Sequence, residues 1–205
     1  MKKLLLPTII SFLVAGFASS ASANLIVNGS FENPALSKKS WHVYTSIDGW
    51  NADYGRIEVQ NNAAGSPYDG AQFVELDSNY NSVMSQTLST NSGQTYLLEF
   101  AYSPRPNVNY SSNIIDVFWN GTSLTSNTGI SADGGKTTIW SLLNFTVTGT
   151  GSDKLTFKAL GISDSLGGYI DAVSLESVPV PEPATMLLMG VGMFGIAGAL
   201  RRRKN

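Results

Sequence analysis

Fifteen carboxylates, one imidazole and no thiol set the chemistry open to this chain of 205 residues. The lack of cysteine removes disulfide scaffolds, thiolate metal sites and thiol nucleophiles. His42, the one histidine, leaves no site built on two imidazoles. Acid–base cleavage of a sugar needs two carboxyls roughly 5–9.5 Å apart, and no spacing in the sequence marks such a pair. His42 sits in Trp41-His42-Val43-Tyr44 without a readable serine-and-acid constellation, and no G-x-S-x-G occurs. The chain is therefore expected not to be an enzyme. What it does offer is aromatic faces and planar polar groups. Sugars present C–H faces that stack on rings, and hydroxyls that pair with Asn, Asp, Gln and Arg. Trp41, Trp50, Tyr54, Tyr68, Tyr80 and Tyr110 fall in or near predicted loops, where a scaffold holds binding groups, and are the candidate carbohydrate platforms. Arg105, fixed between Pro104 and Pro106, is a candidate partner for an anionic sugar; the alternative is a solvated loop arginine. Trp119 alternates with Ile115 and Val117, and Phe145 with Leu143 and Val147, so both read as core; Trp140 fits either role.

The elements that must hold these groups are short. Between Asn24 and Val178 no helical period of useful length appears. Alternating or β-branched runs recur instead, divided by Asn, Gly, Ser and Pro. The runs are 25–27, 72–76, 83–88, 95–102, 114–119, 122–124, 139–147, 155–160 and 169–175. Within 95–102, Tyr96, Leu98, Phe100 and Tyr102 share one face. Asn120-Gly121 is a two-residue hairpin signal. Eight to ten strands without helices predict an all-β, antiparallel jelly-roll sandwich over 24–178. Between its ends this body is roughly 36 % apolar, lean against the usual composition of globular domains and suited to a thin core.

Both termini differ from the body. Lys2 and Lys3, an apolar run from Leu4 to Phe17, and Ala21-Ser22-Ala23 predict a secretory signal peptide over 1–23. At the other end, 179–205, Pro181-Glu182-Pro183 precedes seventeen uncharged residues, 184–200, and then Arg201-Arg202-Arg203-Lys204. A helix over 184–200 would span about 25 Å, short of a ~30 Å hydrocarbon core. The basic cluster would hold the C-terminus inside the cell and leave the body outside. That body is acidic, fourteen acids against seven bases between Asn24 and Val178. Nucleic-acid binding is disfavoured, because phosphate would be repelled.

This three-part tail resembles the PEP-CTERM sorting signal of Gram-negative bacteria. The resemblance implies a single transmembrane sorting helix and an exosortase-type enzyme cutting near Pro181-Glu182-Pro183. It also implies passage through the inner membrane to the cell surface or matrix, in a host that makes extracellular polysaccharide. The alternative is a plain membrane anchor. A second resemblance covers most of the body. Asn24 to Glu32 resembles the opening strand of galactose-binding-like carbohydrate-binding modules. Asp69 to Asp77, Gly93 to Tyr96 and Ser163 to Asp171 are similar to motifs of a domain family of unknown function found in plant cell walls and bacterial secreted proteins. Together the resemblances imply non-catalytic binding of extracellular polysaccharide. The rivals are an adhesive surface protein contacting other proteins, and a glycan hydrolase or lyase.

Glu32 follows the first predicted strand and Asp171 lies in the last. A jelly roll brings its two ends together, so both carboxylates, with backbone carbonyls near Asn28 to Ser30, could hold a structural Ca²⁺. The resemblance adds that such an ion is common in these modules. The competing reading has Glu32 capping a turn and Asp171 accepting backbone N–H bonds.

Overall fold

The computed structural model describes residues 23–179. The expected signal peptide (apart from Ala23), the sorting helix over 184–200 and the motif residues Pro181, Glu182, Pro183, Arg201, Arg202 and Arg203 lie outside that range. Among the described residues, no helix is long and apolar enough to cross a membrane.

Twelve strands carry the described chain: β1 (Ser40–Tyr44), β2 (Ser46–Ile47), β3 (Trp50–Tyr54), β4 (Ile57–Asn61), β5 (Phe73–Glu75), β6 (Val83–Ser89), β7 (Thr95–Ser103), β8 (Ile115–Trp119), β9 (Thr122–Ser123), β10 (Ser141–Thr148), β11 (Ser152–Ala159) and β12 (Tyr169–Ser177). They form two antiparallel sheets, ordered β1-β4-β5-β12-β7-β10 and β2-β3-β6-β11-β8-β9. From β5 onward the strands fill the two sheets in the order of an eight-stranded jelly roll, and β1 to β4 extend the two edges.

The core lies between the sheets because period-2 alternation feeds it from both sides. In β11, Asp153, Leu155, Phe157 and Ala159 are buried in turn. In β7, Tyr96, Leu98, Phe100 and Tyr102 are buried as expected. Trp119 is buried, and Phe145 is half-buried with its ring stacked on Phe100. The β8–β9 turn forms at Asn120 and Gly121, both at positive φ, as a two-residue hairpin of this pairing requires.

Two expectations change. Residues 25–27 form no strand: Leu25 N–H bonds Leu175 carbonyl at 2.9 Å, and the next contact is Val173 N–H to Gly29 carbonyl at 2.9 Å. The segment runs beside β12, so the two ends of the described sandwich do meet. Gly29 permits the approach, since a Cβ there would lie 2.0 Å from the Val173 carbonyl oxygen. Conversely, β1 to β4 form where no strand was read. Trp50, at the start of β3, is fully buried between Phe31 and Phe157, with ring centroids 5.6 and 5.9 Å away. It is a core residue and not a carbohydrate platform; the unread β3 is what turns it inward.

Candidate functional site

The outer face of the β1-β4-β5-β12-β7-β10 sheet is covered by loops at one end, and polar groups are buried beneath them. In β4, Ile57 and Val59 face the core, so Glu58 and Gln60 face outward. Glu58 pairs directly with Glu75 of β5, and Gln60 with Trp41 of β1. Two acids opposed across a strand pair repel each other when ionised. A built arrangement offsets this. Arg105, just after β7, forms an ion pair with Glu75. Gln60 Nε2 donates to Glu75 Oε2 at 2.6 Å and to Glu58 Oε1 at 2.9 Å. Gly167 N–H donates to Glu75 Oε1 at 2.7 Å.

The site opens as a cleft of about 300 Å³ lined by Trp41, Glu58, Gln60, Ala63, Ala64, Ser78, Arg105 and Ser165. Its floor is polar. Its mouth carries the indole of Trp41, 59 % exposed although it belongs to a strand. The wall at Ala64 is pinned by its N–H to Gln60 Oε1 at 3.0 Å and its carbonyl to the Tyr169 hydroxyl at 3.2 Å.

Burial raises both carboxyls against the pull of Arg105. Three N–H donors converge on Glu75. Burial nevertheless pushes Glu58 up to about 7 and Glu75 up to about 8, so the facing pair retains a proton near neutrality. Glu58 and Arg105 line the cleft and Glu75 lies buried behind them, and raised acids beside a cation occur at functional sites and in structural ion-pair networks alike.

Of the expected platforms, only Trp41 and Arg105 come together here. Arg105 is not a freely solvated loop arginine: it lines the cleft with its side chain 20 % exposed, and its charge is matched by Glu75. Tyr68 packs its ring on Trp140, 6.2 Å between centroids. Trp140 in turn meets Phe73 and Tyr169, and its indole N–H reaches the Ser66 carbonyl at 2.9 Å, under the 62–72 loop. Tyr54 and Tyr80 stand as an exposed pair 5.6 Å apart, and Tyr110 is exposed on the 104–114 loop; none of the three lines the cleft. His42 packs on Tyr44 and, one residue from Trp41, faces away from the cleft. Glu58, Gln60 and Glu75 were missed. The one signal available was Glu75 alternating with the apolar Val74 and Leu76 in the predicted strand 72–76.

Glu32 and Asp171 do converge, on the Tyr68–Gln72 segment. Glu32 Oε1 accepts the N–H groups of Ala71 and Gln72 at 2.7 and 2.9 Å. Asp171 Oδ2 accepts those of Tyr68 and Asp69 at 2.8 and 3.0 Å, and Oδ1 that of Ala172 at 2.7 Å. A β-bulge after Asp171, with Ala172 at positive φ, aims that side chain at the loop. Glu32 Oε1 and both oxygens of Asp171 thus accept backbone N–H groups, and through them the pair clamps the loop.

A protein-family model, the PEP-CTERM protein-sorting motif, matches residues 179–204. The tail is that sorting motif. The body aligns with two curated proteins, both multifunctional-autoprocessing repeats-in-toxin: that of Vibrio cholerae serotype O1, 29 % identical over 168 residues, and that of Vibrio vulnificus, 30 % identical over 156 residues. These alignments cover 78 % and 75 % of this chain, which spans only 3 % of the length of either relative. Among solved structures, a cyclase from Fischerella sp. TAU superposes with a TM-score of 0.56 at 15 % identity, covering 78 % of this chain and all of that one. That is a shared fold. The structural neighbours also include family 35 and family 61 carbohydrate-binding modules. The family 61 module, solved with β-1,4-galactotriose, has a TM-score of 0.44 at 20 % identity and covers 77 % of this chain and 100 % of that one.

Proposed function

We propose that the chain is exported, routed by its C-terminal motif through the inner membrane and an exosortase-type enzyme, and displays a sandwich that binds extracellular glycan without cleaving it. The observation that carries this reading is the juxtaposition of an exposed Trp41 indole with the buried polar floor of Glu58, Gln60 and Arg105. An indole stacks on a sugar face, while fixed amide, guanidinium and carboxyl groups read its hydroxyls. Arg105 is neutralised by Glu75, so the site favours a neutral glycan over a uronic acid.

A cleft carboxyl, Glu58, with a second, Glu75, buried opposite it raises the question of hydrolysis. The Gln60 amide bridges Glu58 and Glu75, filling the space a glycosidic oxygen and its water would need. Binding is the better reading. Pull-down on insoluble polysaccharides, with a glycan array, tests it: capture by neutral glycans, lost in Trp41→Ala and Gln60→Ala, is expected. Uniform failure to bind, or equal binding by Trp41→Ala, overturns it. Release of reducing ends that disappears in Glu58→Gln would establish the hydrolase instead. Export is tested separately by mass spectrometry of the surface protein, where an intact Arg201–Asn205 end argues against processing.

A further inference from the structure

Beside the cleft, the β5–β6 loop buries two oxygens that no described residue satisfies. Asp77 is fully buried, and its Oδ2 accepts the N–H groups of Asp164 and Ser165 at 2.9 and 3.0 Å. Its Oδ1 has no partner among the described residues. Asn81 donates Nδ2 to the Gly161 carbonyl at 2.6 Å, which fixes the amide orientation and leaves Oδ1 as the remaining atom. That Oδ1 is also buried and without a partner. Asp77 and Asn81 face each other as an antiparallel bridge pair, so their side chains lie on one face of the turn. Two unpartnered acceptors thus sit on one face of the same turn, one belonging to a carboxyl whose other oxygen already accepts two N–H groups. Burying such groups uncompensated is costly.

The sequence of the loop fits the same conclusion. Asp77-Ser78-Asn79-Tyr80-Asn81 places an oxygen-bearing side chain at every second residue, the spacing with which a tight loop surrounds a hard cation. Ser82 and Leu88 stand where an EF-hand requires Gly and Glu, so the loop is not of that type.

We propose that Asp77 Oδ1 and Asn81 Oδ1 are ligands of a bound calcium-class cation, with Asn79 and solvent completing the shell. One carboxylate and neutral oxygens make a weak site, in the ~0.1–1 mM range of extracellular modules. The ion would stiffen the loop that carries Ser78 into the cleft. It would also offset the negative charge of Asp77, which pushes Glu58 upward. The inference does not depend on glycan binding.

Terbium is the probe, because Tyr80 lies inside the loop and can sensitise its luminescence. With the full-length chain, Tb³⁺ emission excited through tyrosine is expected, displaced by Ca²⁺ at about millimolar concentration and by Mg²⁺ far less well. Tyr80→Phe should remove most of the emission while leaving the Ca²⁺-dependent rise in Tm. Asn79→Asp, an exposed change that leaves the Asp77 cap intact, should tighten Ca²⁺ about tenfold. Asp77→Asn should abolish binding, and Glu32→Gln should leave it unchanged. The proposal is overturned if Ca²⁺ neither displaces Tb³⁺ nor raises Tm, the oxygens then being bridged by a buried water. It is equally overturned if Asn79→Asp has no effect, or if Glu32→Gln removes binding.

Discussion

Residues alternating along β4 and β5 divide between two buried faces with opposite chemistry. Inward, Ile57, Val59 and Val74 belong to the apolar core. Outward, Glu58, Gln60 and Glu75 are nearly as buried, yet they are held by an ion pair, an amide bridge and one backbone N–H. The inner face is stabilised by removal of surface from water, which is non-directional and insensitive to pH. The outer face exists only if charges and donors match, so its contribution depends on protonation. One sheet thus keeps its stability on one side and its chemistry on the other.

Substitutions should separate the two faces. The largest effect is expected on the inner side: Phe100→Ala, which empties a fully buried ring site, should cost about 3–5 kcal/mol in urea unfolding, alike at pH 5 and pH 8. A pH-dependent loss there would break the distinction. Arg105→Ala leaves two facing carboxyls without their cation. Its cost should reach about 3 kcal/mol at pH 8 and shrink at pH 5, where the acids take up protons. Equal costs at both values would mean that Arg105 acts by packing alone.

Asp171→Asn replaces an acceptor of backbone N–H bonds by a group that presents a donor to some of them, and should cost about 2 kcal/mol. Burial raises Glu58 and Asp171 to about 7 from ordinary values of 4.5 and 3.8. Between those limits the folded protein holds more protons than the unfolded chain, so stability should fall as pH rises from about 4 to 7. Glu58→Gln should flatten that slope by at most about 1.4 kcal/mol per pH unit; an unchanged slope would place the proton elsewhere. The smallest effect on stability belongs to Trp41→Ala, within about 0.5 kcal/mol because the indole is exposed, while glycan capture is lost.

The comparison also explains which strands were legible. β7 and β11 bury one face more than the other, so hydrophobic and polar residues alternate visibly. In β4 all five residues are buried. Its outward Glu and Gln read as polar breaks in a weak run, and the cleft built on them was invisible. Trp41 and Trp50 look alike in sequence. One edge strand presents the first outward and the next turns the second into the core, a difference decided by pairing register and not by composition.

By itself the sequence determined the sandwich class and the Asn120-Gly121 hairpin, and its resemblance to a sorting signal marked the tail. The first two follow from local periodicity and turn chemistry, which operate over a few residues. Tertiary structure alone decided that Glu58, Gln60, Glu75 and Arg105 share one buried site, and that Glu32 and Asp171 clamp a single loop. Apart from Glu58 and Gln60, which are neighbours on one strand face, those groups lie well apart in the chain. Only the antiparallel register and the loops closed over one end of the sheet bring them within hydrogen-bonding reach, and burial then fixes their charge.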